Sequence, residues 1–371
     1  MRIGIPKEIK NHEYRAGLTP AGVRELVAHG HAVQVQAGLG AAIGLPDEHY
    51  RAAGASVLGS ADEVFAQAEL LVKVKEPQPE ETARLREGQV LFTYLHLAPD
   101  RRQAEALMRS RAVAIAYETV TGPGGRLPLL VPMSEVAGRM SIHVGASLLE
   151  LPRGGRGVLL GGVPGVAPAQ VVILGAGTVG SNAVQMAVGL GARVIVVDRS
   201  AERLRELDAL YGNRIETLVA NAQVVEEAVL GADLVIGSVL IPGAAAPRLV
   251  DRATVARMKP GSVLVDVAID QGGCFETSRP TTHADPTYVE EGVIHYCVTN
   301  MPGAVARTAT FALANATLPH VLALADKGWR RAIAEDEHLR QGLNVWQGEI
   351  THRAVADALG LPWRDPQTLP G

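Results

Sequence analysis

Short apolar, β-branched runs alternate with longer segments of helical periodicity along almost the whole chain. Runs at residues 2–5, 32–36, 70–75, 90–95 and 113–117 predict one set of strands. Runs at 171–174, 193–197, 233–238, 262–267 and 293–298 predict a second set. Helices fill the intervals. Thr19 is placed to cap one, with Pro20 at its first position and Gly30 beyond its end. Residues 99–110 and 200–211 are amphipathic, and 304–325 is a long helix-like run. This order predicts an α/β fold: two doubly wound, Rossmann-like domains built on parallel sheets, with a cleft between them. The Gly/Pro-rich stretch 121–132 marks one crossing between domains, and 302–305 a second. The expected division is a discontinuous substrate domain, 1–128 and 305–371, around a continuous nucleotide domain, 129–304.

No charged residue occurs between Gly157 and Ala192, long enough to span a bilayer. Pro164, Pro168 and many glycines interrupt it, so it reads as a buried strand, turn and helix. Composition narrows the class further. Across 371 residues the net charge is −4, and aromatics are only 4%. Neither a general nucleic-acid binder nor a polybasic membrane anchor fits that balance. Cys274 and Cys297 make no disulfide framework and have no metal-ligand spacing, so no metal is expected and a reducing cytoplasm is. Both read as small packing residues. The first residues lack the apolar core of a signal peptide.

One local pattern carries chemistry. The run 171–174 enters Gly175-Ala176-Gly177-Thr178-Val179-Gly180, and a helix follows. Strand, G-x-G-x-x-G and helix together are the dinucleotide-binding context. The first Gly permits the tight turn, the second the approach of a pyrophosphate, the third close packing of helix on strand. The next strand ends at Asp198, 18 residues after Gly180. A carboxylate there accepts from ribose hydroxyls and repels a 2′-phosphate, which favours NAD over NADP, although Arg199 beside it is able to accommodate that phosphate. Ligands of doubly wound sheets sit beyond the carboxyl ends of strands. The loops after 238, 267 and 298 are therefore expected around the nicotinamide.

The same rule applied to the first strand set collects Arg15, Lys75 and His96. They offer a planar fork for a carboxylate, a compact cation and a proton carrier. Each has a plainer reading: a solvated loop cation for Arg15, a satisfied buried imidazole for His96, an edge charge for Lys73 or Lys75. Only six of the 35 basic residues are Lys, so two at one strand end point to a need for a point charge. Tyr94 either packs or points into the site. Asp270, before Gly272-Gly273, is either a turn-forming acid or a carboxylate beside the nicotinamide; Asp266 reads as structural.

The residues resemble the alanine dehydrogenase family along nearly the whole chain. The likeness rests on GIPKEIKNHEYRAGLTP at 4–20, VKVKEP at 72–77, YLHLA at 94–98 and PMSEVAGRMS at 132–141. It extends through GVLLGGVPGVAPAQVVILGAGTVG at 157–180, ADLVIGSVLIPGA at 232–244, DQGGCFETSRPTTHADPTY at 270–288 and HYCVTNMPGAV at 295–305. The resemblance implies NAD-dependent oxidative deamination of L-alanine to pyruvate and ammonium, and the reverse. It implies that Arg15 and Lys75 bind substrate and that His96 and Asp270 are the acid/base residues. Ser134, Thr178, Val179, Asp198, Arg203, Val239, Leu240, Arg279, Asn300 and Met301 then line the nucleotide site, with Gly175, Gly177 and Gly180. It also implies a hexamer or other homo-oligomer. Ala220 and Ala245 depart from the family pattern, where Ser and Lys are common, and 321–327 offers no ligand pair for a magnesium ion. Two alternatives are the related nucleotide-binding component of transhydrogenase, passing hydride between nucleotides, and a non-catalytic nucleotide-binding protein.

Overall fold

The computed structural model describes residues 1–239 and 246–368. Six strands form the first run: β1 (Arg2–Ile5), β2 (Ala32–Gln36), β3 (Ser56–Leu58), β4 (Leu70–Val72), β5 (Val90–Thr93) and β6 (Val113–Ala116). Seven follow: β7 (Gln170–Leu174), β8 (Arg193–Asp198), β9 (Ile215–Val219), β10 (Leu234–Gly237), β11 (Val263–Asp266), β12 (Thr287–Glu290) and β13 (Val293–Tyr296). The last two, β14 (Leu343–Trp346) and β15 (Glu349–Ile350), return to the first sheet. The chain divides into two compact units, Met1–Met133 with Val305–Gly371, and Ser134–Ala304. The first crossing lies inside the helix Val131–Leu148, later than the Gly/Pro-rich stretch expected to hold it.

In the first unit the strand order is β15-β14-β6-β5-β4-β1-β2-β3. The six strands β1–β6 are parallel and doubly wound; β14 joins antiparallel to β6 and β15 antiparallel to β14. Successive side chains alternate between two cores. Leu70, Val72, Val90, Phe92, Val113 and Ile115 enter one, and Leu71, Leu91 and Ala114 the other. Burial on both faces explains why these strands read as continuous apolar runs. The strand expected over 70–75 stops at Val72, so Lys73 and Lys75 lie beyond it.

The second unit has the order β12-β13-β11-β10-β7-β8-β9. All its pairs are parallel except β12 with β13. The charge-free stretch resolves into β7, the glycine turn and the helix Thr178–Gly189. A different helical segment, Met301–Lys327, which contains the helix Ala306–Lys327, is long and apolar enough to cross a membrane by length and composition. Its Leu313, Val321 and Leu324 are packed into the first unit's core.

β12, β14 and β15 lie outside the expected strands. They belong to two hairpins whose turn residues are Glu291-Gly292 and Gln347-Gly348, all at positive φ. That backbone is usually signalled by Asn-Gly or Asp-Gly, and neither turn carries it. β3 and β9 are edge strands with half-exposed side chains, so no buried run marks them.

Candidate active site

In each sheet the winding reverses beside the first strand: between β1 and β4 in the first unit, between β7 and β10 in the second. Crevices open beyond the carboxyl ends of strands at such points.

In the first unit, Arg15 follows β1 and Lys75 follows β4, the two strands flanking the reversal. Arg15 is only 2% exposed, which removes the solvated-cation reading. Its Nε donates to Glu13 Oε1 at 2.7 Å and its Nη2 to Glu13 Oε2 at 2.5 Å, while Nη1 faces Met133 Sδ at 3.0 Å. Burial alone would ease its proton off, but the Glu13 pair holds its pKa above the ordinary value. Lys75 is also buried. Lys73 is not an edge charge: it is fully buried, with Nζ 2.9 Å from Glu8 Oε2 and 2.6 Å from Glu81 Oε1. Glu8 Oε1 accepts the backbone N–H of Val74 at 2.7 Å and of Lys75 at 3.3 Å. Burial raises the Glu8 pKa, against the pull of Lys73. Beside them Glu76 pairs with Lys10; burial pushes its pKa up, yet the Lys75 and Lys10 charges bring it below the usual value.

His96 follows β5 and is exposed, so it is not a buried packing imidazole. Its φ is +48°, the left-handed region. Glu118 holds that turn, accepting the N–H of His96 at 2.6 Å and of Leu95 at 3.1 Å. The imidazole stacks on Tyr94, centroids 5.6 Å apart. The Tyr94 hydroxyl donates to the Leu129 carbonyl at 2.5 Å, so this side chain is a platform under His96.

In the second unit, Gly175 has φ +107°, closed to ordinary side chains. A Cβ on Gly180 would stand 1.8 Å from the Gly175 carbonyl oxygen. A Cβ on Gly177, by contrast, would meet nothing within 4 Å. Gly177 is also the N-cap of the helix Thr178–Gly189, with no side-chain hydrogen bond at that end. Its first N–H groups therefore face an open cradle suited to an anion. Asp198 ends β8 and ties the loop to it: Oδ2 accepts from Ala176 N at 2.6 Å and Oδ1 from Ser200 N at 2.7 Å. A carboxylate has about four acceptor positions, so two remain for ribose hydroxyls. Arg203 clamps the same loop, donating from Nε and Nη2 to the Ala176 carbonyl at 3.1 and 3.0 Å. Ala220 contributes only its backbone, its N–H donating to the Asp198 carbonyl at 2.9 Å. Ser238, beyond β10, donates to the Leu174 carbonyl at 2.8 Å and pins the loop from beneath.

Asp270 lies in the short helical turn Ile269–Gln271 after β11, with its side chain exposed. No hydrogen bond to its carboxylate occurs among the described residues. The turn-forming work falls to Asp266, fully buried, which accepts from Ala268 N, Cys274 N and Ser278 Oγ at 3.1, 2.8 and 2.6 Å. Burial raises its pKa. Arg279 is exposed and lies over the Tyr288 ring, 3.9 Å from its centroid. Asn300 has φ +67°, and its carbonyl is 3.0 Å from His283 Nε2. Met301 is buried, and Val239, Thr178, Val179 and Ser134 stand at strand or helix ends in the same unit. Leu240 and Ala245 lie outside the described residues. Cys274 and Cys297 are buried, their thiols pushed up to about 12 and about 11 by burial, as suits packing residues.

The spacing of the chain does not reveal Glu8, Glu13, Glu81, Glu118 or Ser238, whose partners lie mostly in other strands' loops. No cluster of His, Cys, Asp or Glu among the described residues could hold a metal ion.

Family models agree with this architecture. Residues 4–137 match "Alanine dehydrogenase/PNT, N-terminal domain" and 141–353 match "Alanine dehydrogenase/PNT, C-terminal domain". The chain is 59% identical to the alanine dehydrogenase of Halomonas elongata over 371 residues, covering all of both chains. A solved L-alanine dehydrogenase superposes with a TM-score of 0.94 at 53% identity, covering 97% of this chain and 99% of that one. The transhydrogenase from Sinorhizobium meliloti superposes with a TM-score of 0.81 at 25% identity, covering 95% and 100%. This chain belongs to the alanine dehydrogenase/PNT family.

Proposed function

We propose that the protein is an NAD-dependent alanine dehydrogenase, which turns L-alanine, NAD⁺ and water into pyruvate, ammonium, NADH and a proton, and runs the reverse. The observation that carries this reading is the pairing of a buried Arg and a buried Lys at the first unit's winding reversal with a glycine cradle at the second's. The cradle fits a dinucleotide pyrophosphate because Gly177 opens to empty space at an uncapped helix start. Gly177, Thr178 and Val179 hold the phosphates in this reading, Gly175 and Gly180 shape the loop beneath them, and Asp198 takes the ribose and disfavours a 2′-phosphate. Arg203 braces the loop, and Ser134, Val239, Leu240, Arg279, Asn300 and Met301 complete the nucleotide site. When bound, the nicotinamide supplies the hydride acceptor.

The protein's own residues do the rest. Arg15 binds the amino-acid carboxylate, and Lys75 sits by the nitrogen or oxygen on the α-carbon. Loss of hydride from that carbon leaves an imine, which water attacks to give a carbinolamine; its collapse releases ammonia and pyruvate. Asp270 and His96 divide the proton transfers, since a carboxylate and an imidazole each take up and return a proton. A cytoplasmic homo-oligomer, a hexamer, belongs to the same reading. The test is NADH appearance on mixing the protein with L-alanine and NAD⁺. Hydride exchange between nucleotides without alanine turnover would instead favour the transhydrogenase reading.

A further inference from the structure

Beyond two strand ends of the first unit a carboxylate grips consecutive backbone N–H groups among the described residues, and each segment so held carries a candidate site residue. Glu118 holds Leu95 and His96. Glu8 holds Val74 and Lys75 with one oxygen, and the Lys73 ammonium with the other. The Glu8 case is the more telling, because it joins the segment after β1 to the segment after β4, the two strands beside the winding reversal. All three of its partners are donors. Only an acceptor-only group satisfies donors on both of its sides; an amide would turn its own N–H groups against either the backbone pair or the ammonium. The surroundings are buried, so a mismatched partner there is costly. The rest of the segment is fixed as well. The Tyr117 hydroxyl donates to the Lys73 carbonyl at 2.9 Å, and Thr93 Oγ1 to the Lys75 carbonyl at 3.0 Å. Lys75 thus has its carbonyl held by Thr93 and its N–H held by Glu8.

We propose that Glu8 is a positioning residue for the substrate site, setting the place of Lys75 through the Val74 and Lys75 N–H groups, with Lys73 as the counter-ion that keeps its carboxylate in line. This rests on the alanine dehydrogenase reading of Lys75. Displacing a substrate-holding group by about an ångström costs about 10²-fold in rate. Glu8→Gln should therefore lower kcat/KM for pyruvate by about 10²-fold, while NADH affinity, read by fluorescence, stays at the wild-type level. Glu8→Asp keeps the charge beside Lys73 but withdraws the carboxylate from the backbone pair, so it should lose kcat/KM while NADH affinity stays at the wild-type level. The triple variant Glu8→Gln, Lys73→Met and Glu81→Gln removes the opposing ammonium together with its second carboxylate partner and lets the amide oxygen serve the backbone pair. It should recover part of the loss in Glu8→Gln. Wild-type kcat/KM in Glu8→Asp, or lower melting temperatures with unchanged kcat/KM across the series, would reduce Glu8 to a structural residue. Absence of alanine turnover in the unaltered protein would instead overturn the functional reading beneath the proposal.

Discussion

The two winding reversals share a topology but are built from opposite materials. In the first unit the crevice is made of buried charge: Arg15 on Glu13, and Lys73 between Glu8 and Glu81. In the second it is made of backbone and empty space, with Gly177 open and the helix start uncapped. The difference follows from what each is proposed to hold. A pyrophosphate is large and needs close approach to many N–H groups, which glycine permits. A three-carbon acid has few atoms, and fixing it takes strong, single contacts from pre-oriented charges. Buried charges must be paired, so the first crevice brings a scaffold of carboxylates with it.

The comparison can be broken at several points. The largest effect is expected at the proton carriers. Asp270→Asn and His96→Asn should each lower kcat by about 10²–10⁴ with NADH affinity unchanged. Asn tolerates the left-handed backbone of His96, so the loss would report on the imidazole and not on the turn. Retention of most activity in His96→Asn would leave Asp270 as the sole proton carrier. Next comes Arg15→Ala, which takes the guanidinium away from the buried Glu13 carboxylate. Loss of one partner of a buried pair costs about 3–5 kcal/mol, so denaturant unfolding should show a large drop along with weaker pyruvate binding. A loss below 1 kcal/mol would mean that Arg15 and Glu13 are far better solvated than their burial indicates. The smallest contrast lies within the glycine loop. Gly180→Ala drives a methyl into the Gly175 carbonyl and should cost about 1–3 kcal/mol as overpacking. Gly177→Ala meets no protein atom and has φ −71°, so its melting temperature should match wild type. Equal destabilisation by both would contradict the open cradle.

The second crevice is readable in the sequence because its parts are contiguous: strand, glycines and helix fall within twenty residues, 170–189. Asp198 follows by rule at the next strand's end. The first crevice is scattered over three strand ends; the strand-end rule collects Arg15, Lys75 and His96 but leaves each with a plainer reading. Their roles came from the family resemblance. Alternation of Lys73 and Lys75 suggested a shared face but not that one would be locked between two carboxylates. Glu8 stayed hidden because its partners lie more than sixty residues away, and burial, the property that gives it meaning, has no local signature. The edge hairpins escaped for a different reason, since Glu291 and Gln347 take left-handed backbone without advertising it.

The central claim is a division of labour: nucleotide on the glycine cradle, substrate on the buried charges. The most direct test is NADH titration, followed by fluorescence, on the unaltered protein, Gly177→Ala, Arg15→Ala and His96→Asn. The account predicts that Gly177→Ala alone weakens NADH, by about tenfold to 10²-fold, the equivalent of one hydrogen bond to a charged group. Wild-type affinity in Gly177→Ala, or equal weakening in folded Arg15→Ala, would contradict it.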